Sequence, residues 1–121
     1  MDRKNKGDLG ERIAGDFLQK KGYRILETNY RCRWGEIDIV ARQRDCLVFI
    51  EVRTRSNLAF GLPEESLSER KIEHLEKTAH FYRQTHDKLP DSWRIDLVAV
   101  EMDAAGSPRR IEVFENALEG Q

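Results

Sequence analysis

Between Asp8 and Lys21 the apolar residues Leu9, Ile13, Phe17 and Leu18 recur at helical spacing, with Asp8 placed to cap the start and Gly22 to stop the helix. Glu11 falls about 20° beyond Leu18 on the helical wheel and so borders the buried arc. The period then shortens. Three segments rich in β-preferring residues follow, Tyr23 to Tyr30, Gly35 to Arg42 and Cys46 to Thr54, and the polar turn at Arg44-Asp45 makes the last two an antiparallel hairpin. A loop from Ser56 to Pro63 leads into a helical stretch from about Glu64 to His86, which keeps Leu67, Ile72, Leu75, Ala79 and Tyr82 on one face. Strands are expected again at Trp93 to Met102 and, past the Gly106-Ser107-Pro108 turn, at Arg110 to Phe114. The order α-β-β-β-α-β-β predicts an α/β fold, a mixed sheet flanked by helices, in which a right-handed crossover joins the third and fourth strands in parallel.

Composition narrows this picture. At 121 residues the chain is expected to form a single domain, 1–121, with no repeat or linker. Charged residues make up 36% and hydrophobic ones 39%, which implies a small core under a heavily charged surface. No apolar run approaches the roughly 20 residues of a membrane span, and the amino terminus lacks a signal-type stretch, so a cytoplasmic location without membrane contact is expected. Cys32 and Cys46 have no CxxC or Cys/His neighbours that would complete a zinc site and read as reduced thiols. The net charge of -1 excludes a polycationic DNA-coating protein, so any nucleic-acid contact has to come from local patches.

Charges interrupt the strands where the pattern asks for hydrophobes. In the second strand, alternation puts Glu36, Asp38 and Val40 on one face and Ile37, Ile39 and Ala41 on the other. In the third, Leu47 to Ile50 is apolar on both faces, the mark of a central strand, yet Glu51 and Arg53 continue the face of Leu47 and Phe49. A buried carboxylate costs several kcal/mol unless it is paired or coordinated. One account is a set of salt bridges linking Asp38 or Glu51 to Arg53. The other is that Asp38 and Glu51, brought together by hairpin pairing, offer hard oxygen ligands to Mg²⁺ or Mn²⁺, since Mg²⁺ takes one or two carboxylates and keeps several waters.

These residues, in this order, resemble a known family. Glu11, Gly35-Glu36-Ile37-Asp38, Phe49-Ile50-Glu51-Val52-Arg53-Thr54-Arg55, Phe60-Gly61-x-Pro63, Lys71 and Arg94-Ile95-Asp96 look like the YraN-like uncharacterised proteins, over nearly the whole chain from about Gly7 to Val100. That family is assigned to the PD-(D/E)XK nuclease superfamily, beside the archaeal Holliday-junction resolvases and the restriction endonucleases. The resemblance implies a restriction-endonuclease-like fold, with Asp38 as the motif aspartate, Glu51 as the acid of the (D/E)xK element and Glu11 as an auxiliary acid. It also implies a nuclease acting on DNA rather than RNA, on branched or structured forms if the resolvase likeness extends so far, and by the same analogy a homo-oligomer. One position departs from the superfamily: Arg53 stands where it has lysine. Arginine keeps its proton and cannot act as a general base, though it can offset phosphate charge. Lys71, inside the apolar arc between Leu67 and Leu75, is a candidate for the missing ammonium, or else a helix lysine that snorkels to water.

Arg31, Arg33, Arg42, Arg44, Arg53 and Arg55 flank the ends of the hairpin with Tyr30 and Trp34 between them, either as a phosphate-binding rim or as solvated partners of the many acids. Asp96 shares a face with Arg94, which suggests a structural ion pair. His74, His80 and His86 have no zinc spacing and read as surface or packing residues. Leu58 and Phe60 belong either to a flap over the site or to a turn that tucks them down. The leading expectation is a Mg²⁺-dependent nuclease. The alternatives are a nuclease-fold protein that binds nucleic acid or a protein partner without cutting, and a metal-free interaction module.

Overall fold

The structure, a computed structural model, describes residues 2–117; Met1 and residues 118–121 of the expected 1–121 domain lie outside them. Helix α1 (Arg3–Lys20) is followed by β1 (Arg24–Cys32), β2 (Gly35–Gln43) and β3 (Cys46–Arg55). Two short 3₁₀ turns, Leu58–Phe60 and Pro63–Ser66, lead to α2 (Glu69–Thr85), and β4 (Ser92–Met102) and β5 (Pro108–Phe114) are the last elements among the described residues. The order is the expected one. The five strands form one sheet in sequence order, antiparallel except for β3 beside β4. Only this pair needs a crossover, and α2 supplies it. Among the described residues no helix is long and apolar enough to cross a membrane.

Each helix covers one face of the sheet. On one side Ala14 and Leu18 of α1 pack with Ile39, Ala41, Val48, Ile50, Val98 and Val100. On the other, Leu75, Ala79 and Tyr82 of α2 meet Ile37, Val40, Leu47, Phe49 and Ile95. Strand β3, in the middle and fully buried from Leu47 to Ile50, feeds both cores, as its uninterrupted apolar run requires.

Helix α1 begins six residues earlier than the apolar periodicity suggests. Asp2, not Asp8, is its cap, accepting the Asn5 N–H at 2.8 Å. Arg3 to Gly7 carry no large apolar side chain, so this first part of the helix leaves no hydrophobic pattern to detect. Helix α2 starts later than expected, at Glu69, because Pro63–Ser66 forms a separate 3₁₀ turn and Ser68 caps the helix by accepting the Lys71 N–H at 3.1 Å. Leu67 therefore lies outside the helix, and its angular relation to Lys71 does not apply.

The larger correction concerns β2. Ile37 and Val40 face α2 whereas Ile39 and Ala41 face α1, so strict alternation fails between Ile37 and Val40. The β2–β3 ladder stops at the Ile39–Ile50 pair, and the Asp38 side chain then accepts the Val52 N–H at 2.8 Å in place of a backbone carbonyl. On the neighbouring strand Asn29 has φ of +54°, a left-handed conformation that asparagine tolerates better than most residues. The sheet opens at the acid-bearing end, and that opening holds the site.

Candidate functional site

Three elements bring acids to the opening. Asp38 comes from the broken part of β2, Glu51 from β3 and Glu11 from α1. Asp38 is near enough to both glutamates for its charge to act on their carboxyls. Helix α1 can lie this close to β3 because Gly10 faces Thr54, where a Cβ would come within 2.0 Å of the Thr54 Oγ1. Gly10 thereby sets the position of its neighbour Glu11.

Glu51 is only 3% exposed. Its Oε2 lies 3.4 Å from Arg53 Nε and 3.8 Å from Lys71 Nζ, ionic contacts that lack hydrogen-bond geometry. Its Oε1 is buried with no hydrogen-bond partner, and so is Arg53 Nε. Burial first, and the Asp38 charge second, push the Glu51 carboxyl up to about 8 despite the lowering influence of Lys71 and Arg53. Burial and Asp38 likewise raise Glu11 to about 8. Among the described residues neither Glu11 nor Asp38 forms an ion pair. Three crowded acids thus share two cations, both of them on Glu51.

The residues present fit a hard divalent cation. Asp38 and Glu51 offer carboxylate oxygens, and the Oε1 of Glu51 is an oxygen donor with nothing to accept from. Among the described residues no group of three or more His, Cys, Asp or Glu is drawn together as a ready-made cage. A Mg²⁺-like ion asks for less, one or two carboxylates with water completing the shell.

Glu11 and Asp38, but not the buried Glu51, open on a cleft of about 520 Å³ whose wall also includes Asp8, Asn29, Arg31, Glu36, Arg53 and Arg55, together with Arg3, Lys4 and Lys6 at the start of α1. The last three are missed when the helix is started at Asp8; a cap at Asp2 turns the run Arg3-Lys4-Asn5-Lys6 into the basic first turns of a helix. The hairpin arginines divide. Arg31 lines the cleft, paired with Glu36 at 2.9 Å. Arg33 instead sits over the Trp34 ring, 4.8 Å from its centre, with Lys77 at 5.4 Å from the same centre, and does not line the cleft. Arg42 and Arg44 lie at the other end of the hairpin, where Arg42 meets Asp45 at 3.6 Å. Asn29, which sequence reasoning passed over, lines this cleft and the adjoining hollow along α1, each time beside Asp38 and Glu11.

Other candidates have structural roles. Asp96 is fully buried, holding Arg94 Nε at 3.0 and 3.1 Å and the Asn116 N–H at 3.0 Å, while Arg94 also donates to Tyr23 and Gln43. His86 stacks on Tyr82 with ring centres 3.7 Å apart. Both cysteines are free thiols.

Fold and site together define a mixed α/β protein with crowded carboxylates at an opening of its sheet, facing a basic cleft. The model of the uncharacterised protein family UPF0102 matches residues 10–100. Similar proteins include UPF0102 proteins of Caldicellulosiruptor bescii, 42% identical across 98% of this chain and all of the relative, and of Moorella thermoacetica, 46% identical across 98% of both. A third, from Syntrophus aciditrophicus, is 46% identical across 93% of this chain and 87% of its own. The chain belongs to UPF0102, the YraN-like family to which its motif order points.

Proposed function

We propose that this protein is a Mg²⁺-dependent nuclease acting on DNA, with Asp38 and Glu51 as the residues that hold the metal. One observation carries the reading: a buried glutamate with an unpartnered oxygen, crowded by a second carboxylate that itself lines a cleft with several arginines. Like charges in that arrangement are tolerated at neutral pH by protonation or by a cation. A bound divalent ion supplies Lewis acidity to water and phosphate. The chain does the rest. Arg31, Arg53 and Arg55 receive the phosphates of the strand in the cleft, Glu11 extends the acid set from the α1 side, and the Lys71 ammonium next to Glu51 offsets charge that develops on the scissile phosphate.

The superfamily's motif lysine is replaced by Arg53, which favours the second reading, a nuclease scaffold that binds without cutting. Against it stands Lys71, whose Nζ reaches Glu51 from another element. A cleavage assay on labelled branched, single-stranded and duplex DNA with Mg²⁺ or Mn²⁺ decides between them. The nuclease reading expects cleavage by the wild type, retained or raised in Arg53→Lys and reduced on the order of 10²-fold in Lys71→Ala, the scale of losing one charge-stabilising group. Full activity in Lys71→Ala removes that residue from the chemistry. An inert wild type alongside an active Arg53→Lys makes the protein a binder disabled at one residue.

A further inference from the structure

The segment between β3 and α2 leaves the cleft wall at Arg55 and returns to it at Ser66, since both residues line the cleft. Between them Phe60 is 82% exposed, the highest value among the large exposed apolar side chains of the described residues. A phenyl ring in water is unfavourable, and a slack loop would fold it inward. This loop is tied down. The Asn57 side chain accepts the Ala59 N–H at 2.9 Å, Gly61 N–H donates to the Leu58 carbonyl at 3.1 Å, and Leu62 N–H donates to Glu65 Oε1 at 2.8 Å. Pro63 is buried, and Glu64 is held at 2.7 Å by Arg110. These bonds fix the backbone on both sides of Phe60 and leave its ring pointing into solvent.

Two cations, Arg55 and Arg109, lie at the start of that loop beside Glu101. Arg55 lines both the acid-bearing cleft and a neighbouring hollow formed with Asn57, Leu58 and Arg109. Guanidinium groups suit phosphates, while the flat apolar face beside them suits a base. We infer that Phe60 is a base-stacking site, on which a nucleobase packs when the phosphates of its strand occupy the cleft. This rests on the reading of the cleft as a nucleic-acid site and adds a substrate class to it. Five residues separate Arg55 from Phe60, a reach of at most about 18 Å, or roughly five nucleotides at the per-strand rise of a duplex. Inside a duplex both faces of a base are already stacked. The ring therefore engages an unpaired, terminal or branch-point nucleotide a few positions from the phosphate held in the cleft.

The test is binding of fluorescein-labelled single-stranded and blunt duplex DNA, with Ca²⁺ in place of Mg²⁺ and strand integrity checked on a gel. Phe60→Ala is expected to lose roughly ten-fold or more in affinity for the single strand, the scale of one stacked base, and less for the duplex. Phe60→Trp should keep wild-type affinity, and its indole emission should be quenched on binding. Equal single-strand affinity of wild type and Phe60→Ala overturns the stacking site while leaving the nucleic-acid cleft standing. A wild type that binds neither DNA overturns both. Loss of self-association in Phe60→Ala by sedimentation, with DNA affinity unchanged, assigns the ring to a second copy of the chain instead.

Discussion

At Glu51 one carboxylate oxygen meets Arg53 and Lys71 while the other is buried with nothing to accept from. This imbalance predicts a pH dependence. The carboxyls of Glu51 and Glu11 ionise near 4.5 in the unfolded chain and near 8 in the folded one. Between those values the native state binds more protons than the unfolded state, so stability from these groups is fully present below about 4.5 and is lost as pH rises through about 8. Melting temperatures of protein stripped of divalent ions should fall from pH 5 to pH 8, Mn²⁺ should reverse the fall, and Glu51→Gln should flatten it. A wild-type profile that rises or stays level across that window contradicts the account. At this scale the sequence disclosed a good deal: a charge in an apolar strand is visible without coordinates, and so Asp38, Glu51 and the question of Lys71 were all legible. Asn29 and the division of the arginines were not, because a left-handed backbone and the choice between two ends of a hairpin leave no mark on side-chain polarity.

Among the elements, α1 matters most to the site because it carries Glu11 to Asp38. Gly10 permits its close approach, and glycines elsewhere in the helix do not: a Cβ at Gly15 would meet nothing within 4 Å. Alanine is favoured over glycine inside a helix by about 1 kcal/mol, so propensity alone predicts the same gain at both positions. Packing reverses it at Gly10. Thr54 presents its Oγ1, Cβ and Cγ2 all within 3.1 Å of the new methyl, and a β-branched side chain has little rotamer freedom with which to retreat. Gly15→Ala should therefore raise the denaturant midpoint, whereas Gly10→Ala should lower it and Thr54→Ala should partly rescue the double variant. A gain in Gly10→Ala equal to that in Gly15→Ala would show that α1 is not held against β3 in this way. The order of elements was readable because amphipathic periods survive in each of them. The start of α1 was hidden by an all-polar stretch, the start of α2 by a 3₁₀ turn of similar composition, and the faces of β2 by the break at Asp38, where a side chain takes the place of a backbone carbonyl.

For the molecule as a whole, a net charge of -1 conceals an uneven distribution, since six arginines and lysines line one cleft against four acids. If the proposed function holds, phosphate contacts there release counterions, so log K for single-stranded DNA should fall linearly with log salt, at a slope of about -0.7 per phosphate neutralised. Arg55→Ala should make that slope shallower by roughly one contact; affinity indifferent to salt would point to a protein partner. Composition alone cannot reveal such a cleft, since the residues that build it come from α1, β1, β2 and β3 and meet only in the fold. The central claim is that Asp38 and Glu51 hold a divalent cation, and calorimetric titration with Mn²⁺ tests it most directly. Asp38→Asn is the better comparison than Asp38→Ala, because the amide oxygen can still accept the Val52 N–H, whose loss as a buried donor would cost about 1–3 kcal/mol. The account predicts saturable Mn²⁺ binding by the wild type that is abolished in both Asp38→Asn and Glu51→Gln. Unchanged Mn²⁺ affinity in these two variants would contradict it.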